Sequence, residues 1–262
     1  MMDRRRFSKL AAAGGAATLF AATGVTSAAS AATPAARRSL RNVVLVHGAY
    51  ADGSCWSDVI PGLQAAGVTV TSVQNPLTSL ADDAAATRRA LDLQTGPTVL
   101  VGHSYAGSVI SEVGDHPNVS SLVYLSARAP EAGENYPALA AKFPTPPANA
   151  GLVFTAGFGG LTEDAFLNDF ANGVPRARAR VLYAAQGRVA QTLFSTKTTA
   201  AAWQSKPSRY LITTDDRTTT PDLQRFVAKR MNAKTVEINS GHLSLITHPR
   251  TVTAFILDAV RA

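Results

Sequence analysis

The sequence predicts an α/β fold: a doubly wound, mostly parallel sheet of about six strands, with helices on both faces and a small helical cap. Three observations predict it. Short apolar runs such as NVVLV at 42–46 and TVLV at 98–101 lack polar alternation, as strands buried on both faces do. Helical periodicities lie between such runs with short connections, which favours parallel strands joined by right-handed crossovers. The rhythm breaks once, over 128–206, and then resumes. A chain of 262 residues, 46% hydrophobic and 16% charged, is long enough for one such domain with a full core.

The first 32 residues read as an address. Three arginines (Arg4, Arg5 and Arg6), Phe7 and Lys9 precede a weakly apolar, Ala- and Gly-rich stretch ending in small residues. That order makes a secretory signal peptide, and Arg4-Arg5 with Phe7 and Lys9 matches the twin-arginine pattern. The expected partner is the twin-arginine export machinery. The expected location is secreted or periplasmic, with no stable membrane span in the mature form. Residues 33–41 read as a tether. Of the net charge of +7, +3 lies in residues 1–32, and the remaining +4 is spread along the chain, which argues against a nucleic-acid partner. The single cysteine, Cys55, excludes an internal disulfide and any cysteine-rich metal site.

The elements follow in order. Residues 42–46 form a buried strand ending in His47-Gly48. Residues 54–66 read as a helix, capped by Asp52 or Ser54 and closed by Gly67. Residues 68–73 are a second strand. Residues 79–94 form a helix, with Ser79 as cap and Asp82 and Asp83 in its first turn, where the helix dipole favours acids. Residues 98–102 and 119–125 are strands that flank a helix over 105–115. The prolines of 128–147 and helices over 163–172 and 175–186 mark a mostly helical cap. Phe154, Phe158, Leu161, Phe166 and Phe170 are its candidate pocket-lining residues, with ordinary packing as the equal alternative. Residues 208–214 and 234–239 are the last strands. The helix over 221–231 opens on proline, and the closing helix over 249–261 carries an apolar stripe of Val252, Phe255, Ile256 and Ala259. The core is thus expected at 42–127 and 207–262.

The chemistry centres on residues 98–107, TVLVGHSYAG. A buried strand, a tight turn and a helix start, with Ser104 at the apex, make a nucleophile elbow. Ala106 stands where the G-x-S-x-G pattern has its last glycine, and adds only a methyl group. A serine hydroxyl needs a base, and the base needs a carboxylate to fix its tautomer. Of the five histidines, His47 and His103 sit in glycine turns and read as structural, His116 ends a helix and His248 precedes Pro249. His242 alone follows a terminal strand, in a Gly-His turn, and is the expected base. Asp215 and Asp216 both follow the penultimate strand, and the spacing leaves the acid open between them. The backbone N–H groups of Ala49 and Tyr105 are the expected oxyanion donors. No metal-binding spacing and no phosphate-binding loop is present in the sequence.

These motifs carry a family resemblance. HGAYADGSCW at 47–56, GHSYAG at 102–107, DDRTTTPDLQRF at 215–226 and SGH at 240–242 resemble the α/β-hydrolase superfamily. More narrowly they resemble small bacterial esterase-like members related to plant methylesterases and hydroxynitrile lyases. The resemblance runs from about residue 42 to the C-terminus. It implies Asp216 as the acid, since the family's proline follows five residues after the acid, here at Pro221. It also implies no cofactor, and a serine-dependent hydrolase of a small or medium carboxylic ester. Two departures stand out: the plant lyases have Thr at the position of Gly48 and Lys at the position of Leu243. Other bonds (amide, lactone, C–C), cofactor-free haloperoxidase or perhydrolase chemistry, hydroxynitrile lyase activity, and a non-catalytic binding role are the alternatives this resemblance leaves.

Overall fold

The inner strands of the sheet are largely buried and the two outer ones are not, which matches their places in it. The computed structural model describes residues 41–262; the signal-peptide reading and nearly all of the tether fall outside them. The main sheet has six strands: β1 (Asn42–Val46), β2 (Thr69–Ser72), β3 (Thr98–His103), β4 (Val119–Leu125), and then, beyond the insertion, Ser208–Thr213 and Lys234–Ile238. All pair in parallel. β1 and β3 are buried at every position, whereas β2 and the Lys234–Ile238 strand expose Thr, Lys and Glu at the two edges. Polar edges discourage pairing with another chain.

Helices α1 (Ile60–Ala65), α2 (Leu80–Asp92) and α3 (Ala106–Val113) connect the first four strands. The expected helix over 54–66 is two pieces: a 3₁₀ turn at Gly53–Trp56, capped by the Asp52 carboxylate, and α1. Pro61 explains the restart, because a residue without an N–H suits only a first turn. α2 packs against α3, and α1 packs against the C-terminal helix Pro249–Arg261, so the helices cover two faces as right-handed crossovers require.

The insertion departs from a helical cap. It holds α4 (Tyr136–Ala140), a three-stranded antiparallel sheet of β5 (Leu152–Thr155), β6 (Phe158–Leu161) and β7 (Val189–Ala190), and helices α5 (Glu163–Ala165) and α6 (Arg176–Ala184). Strands of two to four residues, one of them holding Gly159-Gly160, leave too short a pattern to read from sequence. α5 runs on into a π-helical turn at Phe166–Phe170, which turns Phe166 and Phe170 into the interior.

The chain then re-enters the main sheet as β8 (Ser208–Thr213), α7 (Pro221–Arg230), β9 (Lys234–Ile238), α8 (Ser244–Thr247) and α9 (Pro249–Arg261). The expected stripe of Val252, Phe255, Ile256 and Ala259 is buried. The strand order β2-β1-β3-β4-β8-β9 reverses direction between β1 and β3. Ligands of open α/β sheets bind beyond the strand ends at such a switch point. Here the two carboxyl ends deliver Ala49 and Ser104.

Candidate active site

The elbow is built from close backbone approaches. Ser104 has φ 58°, a left-handed conformation that costs a non-glycine residue about 1 kcal/mol or more. Its backbone is held on three sides: its N–H donates to the Leu125 carbonyl, and its carbonyl accepts from Gly107 and Arg128. A Cβ on Gly102 would stand 2.9 Å from the Ala106 carbonyl oxygen, so the strand and helix nearly touch. Ala106 itself is buried without strain on the pattern, and the missing glycine there is harmless.

Gly107 is the tighter position. A Cβ there would lie 1.9 Å from the Arg128 carbonyl oxygen, a backbone atom that cannot step aside alone. Gly107→Ala is therefore expected to destabilise the fold by about 3 kcal/mol, at the upper end for overpacking. Guanidinium unfolding midpoints of the variant and the wild type measure it.

The two acidic candidates have different surroundings. Beyond β8 the pairing with β9 continues, with Thr214 donating to Ile238 and Asp215 to Ser240 through their N–H groups. This leaves Asp215 exposed, its carboxylate accepting only from Asn172 Nδ2 at 3.2 Å. Asp216 is buried and its carboxylate accepts five hydrogen bonds. The N–H groups of Thr218 and Thr219 reach Oδ1 at 2.8 Å each. The Thr213 hydroxyl and Gln224 Nε2 reach Oδ2 at 2.9 Å each. His242 Nδ1 reaches the same oxygen at 2.8 Å. Burial alone would raise the Asp216 pKa, but His242 and the two backbone N–H groups outweigh it and hold it below the usual carboxylate range.

An ionised carboxylate only accepts, so Nδ1 of His242 carries the proton and Nε2 presents its lone pair. That Nε2 is buried and has no hydrogen-bond partner among the described residues. His103, beside Ser104, donates from Nε2 to the His242 carbonyl at 3.0 Å, with the two rings 4.6 Å apart. The loop after β9 therefore folds back from the sheet edge to the end of β3. Burial, with His242 adding to it, lowers the His103 pKa to about 3, so its ring stays neutral. His47 is a turn residue in the same sense: Nδ1 donates to the Gly48 carbonyl and Nε2 accepts from the Asn75 N–H.

Ser104, Ala49 and Tyr105 line one cavity of about 610 Å³. Neither the Ala49 nor the Tyr105 N–H donates to any of the described residues. Of the five apolar cap candidates only Phe154 lines this cavity. Phe158 is exposed, and Leu161, Phe166 and Phe170 are packing residues, with Phe170 edging against Tyr50 and His242. The aromatic wall comes instead from Tyr50, Tyr136 and Phe194, which the spacing of the sequence did not single out. Cys55 is buried in the core, where burial raises its thiol pKa away from nucleophilic range. No group of three or more His, Cys, Asp or Glu that could hold a metal occurs among the described residues. No helix among them is long and apolar enough to cross a membrane.

Behind the elbow, the phenol of Tyr105 donates to Asp83 at 3.0 Å, and the Leu77 N–H donates to the other oxygen at 2.8 Å. Burial raises the Asp83 pKa to about 6 despite these bonds. The native form therefore takes up its proton near pH 6, whereas the unfolded chain does so near the ordinary value of 3.8. Above pH 6 the buried charge weakens the fold, and the penalty fades as pH falls toward 4. Asp83→Asn keeps an acceptor for Leu77 and a polar group for Tyr105. It is expected to be more stable than wild type by about 2 kcal/mol at pH 8 and to lose that advantage near pH 4. Unfolding midpoints at the two pH values check the sign.

Comparisons with known proteins bear on the fold and the family. The chain is 35% identical over 130 residues to the carbendazim hydrolyzing esterase of Nocardioides sp. (strain SG-4G), an alignment covering 44% of this chain and 53% of that protein. It thus spans about half the length of that relative. A pyrethroid hydrolase from Sphingobium faniae JZ-2 superposes with a TM-score of 0.69 at 20% identity, over 85% of this chain and 98% of that one. A methylesterase from Arabidopsis does so with a TM-score of 0.70 at 18% identity, over 85% and 99%. At such identities these structures speak for the fold. The sequence model of the alpha/beta hydrolase family matches residues 43–255, and the chain belongs to that family.

Proposed function

We propose that this protein is an exported serine hydrolase that cleaves a small or medium carboxylic ester through an acyl-enzyme on Ser104. The observation that carries the reading is the buried Asp216–His242 pair, with Nδ1 engaged and Nε2 free, held by His103, the residue before an elbow serine in the left-handed conformation. In this reading His242 Nε2 takes the proton of Ser104 Oγ as the oxygen attacks the ester carbonyl. The N–H groups of Ala49 and Tyr105 receive the developing oxyanion, both unengaged beforehand. The protonated His242 then gives its proton to the leaving alcohol. Water repeats the sequence on the acyl-enzyme and releases the acid. No cofactor enters these steps.

The names of the relatives, an esterase, a pyrethroid hydrolase and a methylesterase, support an ester as the bond cleaved. A lyase reading finds less support. A Cβ on Gly48 would lie 2.8 Å from that of Ser104, and Leu243 is a buried apolar residue where the plant lyases carry lysine. The twin-arginine pattern at residues 4–9 supports export and a secreted or periplasmic location. The test is hydrolysis of short-chain p-nitrophenyl esters by wild type and by Ser104→Ala; equal rates overturn the assignment.

A further inference from the structure

Arg128 is the only charged side chain among the described residues that line the cavity holding Ser104. Its backbone is tied to the elbow, with its N–H on the Ser104 carbonyl and its own carbonyl against Gly107. Its side chain lies over the rings of Tyr136 and Phe194, each 5.2 Å from the guanidinium carbon. Aromatic faces stabilise a cation but do not use its N–H groups. Of five donors in the guanidinium fork, one makes a single long hydrogen bond, from Nη1 to the Phe194 carbonyl at 3.4 Å.

No carboxylate pairs with Arg128 among the described residues. The nearby acid Glu134 is taken by Arg230, at 2.7 Å and 3.0 Å. The Arg128 side chain is half-buried, and none of its nitrogens is sealed from solvent without a partner, so its unused donors remain accessible to a ligand in the cavity it lines. The rest of the lining is apolar or neutral.

We propose that Arg128 binds a carboxylate carried by the ester substrate, so that the preferred substrate is a half-ester or carboxy-ester rather than a fully neutral one. The planar fork matches a carboxylate with two parallel hydrogen bonds. The proposal rests on the ester-hydrolase reading and names the substrate class for that site. The carboxylate belongs to the acyl part or to the alcohol part, and the two arms of the test separate these.

The test measures kcat/KM for two matched carboxylate and carboxamide pairs. Monomethyl adipate against methyl 5-carbamoylpentanoate reads the acyl side. Acetoxybenzoate against acetoxybenzamide, both para-substituted, reads the alcohol side. In wild type the carboxylate-to-carboxamide ratio is expected to exceed one in at least one pair. In Arg128→Gln that ratio is expected to fall about tenfold or more, the size of a lost charged hydrogen bond. Should Arg128→Gln fail to fold, Arg128→Lys decides, with an expected fall of about threefold because an ammonium lacks the fork.

A wild-type ratio at or below one in both pairs overturns the proposal. So does a ratio that Arg128→Gln leaves unchanged while both rates fall, since that marks a structural role. Hydrolysis of the carboxamides without a carboxylate preference sinks this inference alone. Hydrolysis of none of the four sinks the ester-hydrolase reading with it.

Discussion

Ser104→Ala is expected to lower kcat/KM for short-chain esters by about 10⁴- to 10⁶-fold, the range found when a triad nucleophile is removed. The physical reason is local. Ser104 holds its hydroxyl at the strained apex, and it lines one cavity with Ala49 and Tyr105, whose N–H groups donate to none of the described residues. Stability should change by less than about 1 kcal/mol, because the Ser104 side chain makes no hydrogen bond whose loss would orphan a buried partner. The backbone bonds to Leu125, Gly107 and Arg128 survive the change. Steady-state rates together with an unfolding curve separate loss of chemistry from loss of fold. A residual rate within about tenfold of wild type would move the nucleophile elsewhere.

Asp216→Asn is expected to cost about 10⁴-fold in kcat, and Asp215→Asn to stay within about twofold. Asp216 faces donors only: two backbone N–H groups on one oxygen, and Thr213, Gln224 and His242 on the other. A carboxamide turns one of those oxygens into a donor. Either Thr218 and Thr219 lose their acceptor, or the amide N–H meets Nδ1–H of His242 and drives the ring into the wrong tautomer. Buried donors left unmatched cost about 1–3 kcal/mol each, so the variant should also unfold at lower denaturant. Asp215 is exposed and engages only Asn172, so its neutral variant removes nothing the site uses. Kinetics of the two variants side by side decide between the acids; greater loss in Asp215→Asn would reverse the assignment.

The sequence was informative where the relevant contacts are local. Strand, turn and helix around Ser104 lie within residues 98–113, and their spacing encodes the elbow directly. The central strands are legible because burial on both faces favours near-continuous apolar runs such as VVLV at 43–46 and VLV at 99–101. The cavity wall was not legible for the opposite reason. Phe166 and Phe170 have the spacing of lining residues, yet a π-helical turn rotates them into the interior. Phe194 and Tyr136, 58 residues apart in number, meet over the Arg128 side chain. No spacing rule relates such positions.

By itself the sequence determined the class of fold, the strand–turn–helix that carries Ser104, and the order in which the candidate acid and base follow it. It narrowed the acid to two neighbours, and the resemblance of the surrounding motif pointed to Asp216. The tertiary structure gave the two neighbours different surroundings, which adjacency could not. Pairing that continues past β8 holds Asp215 outward, while Thr213, Gln224 and the turn at Thr218–Thr219 converge on Asp216. Likewise, Arg128 looked like one cation among many in the sequence, and became distinctive only when folding left it unpaired with any carboxylate of the described residues and set it in the cavity that holds Ser104. Local patterns fix backbone conformation over a few residues. The partners of a buried charge come from the whole chain, and only the folded arrangement selects them.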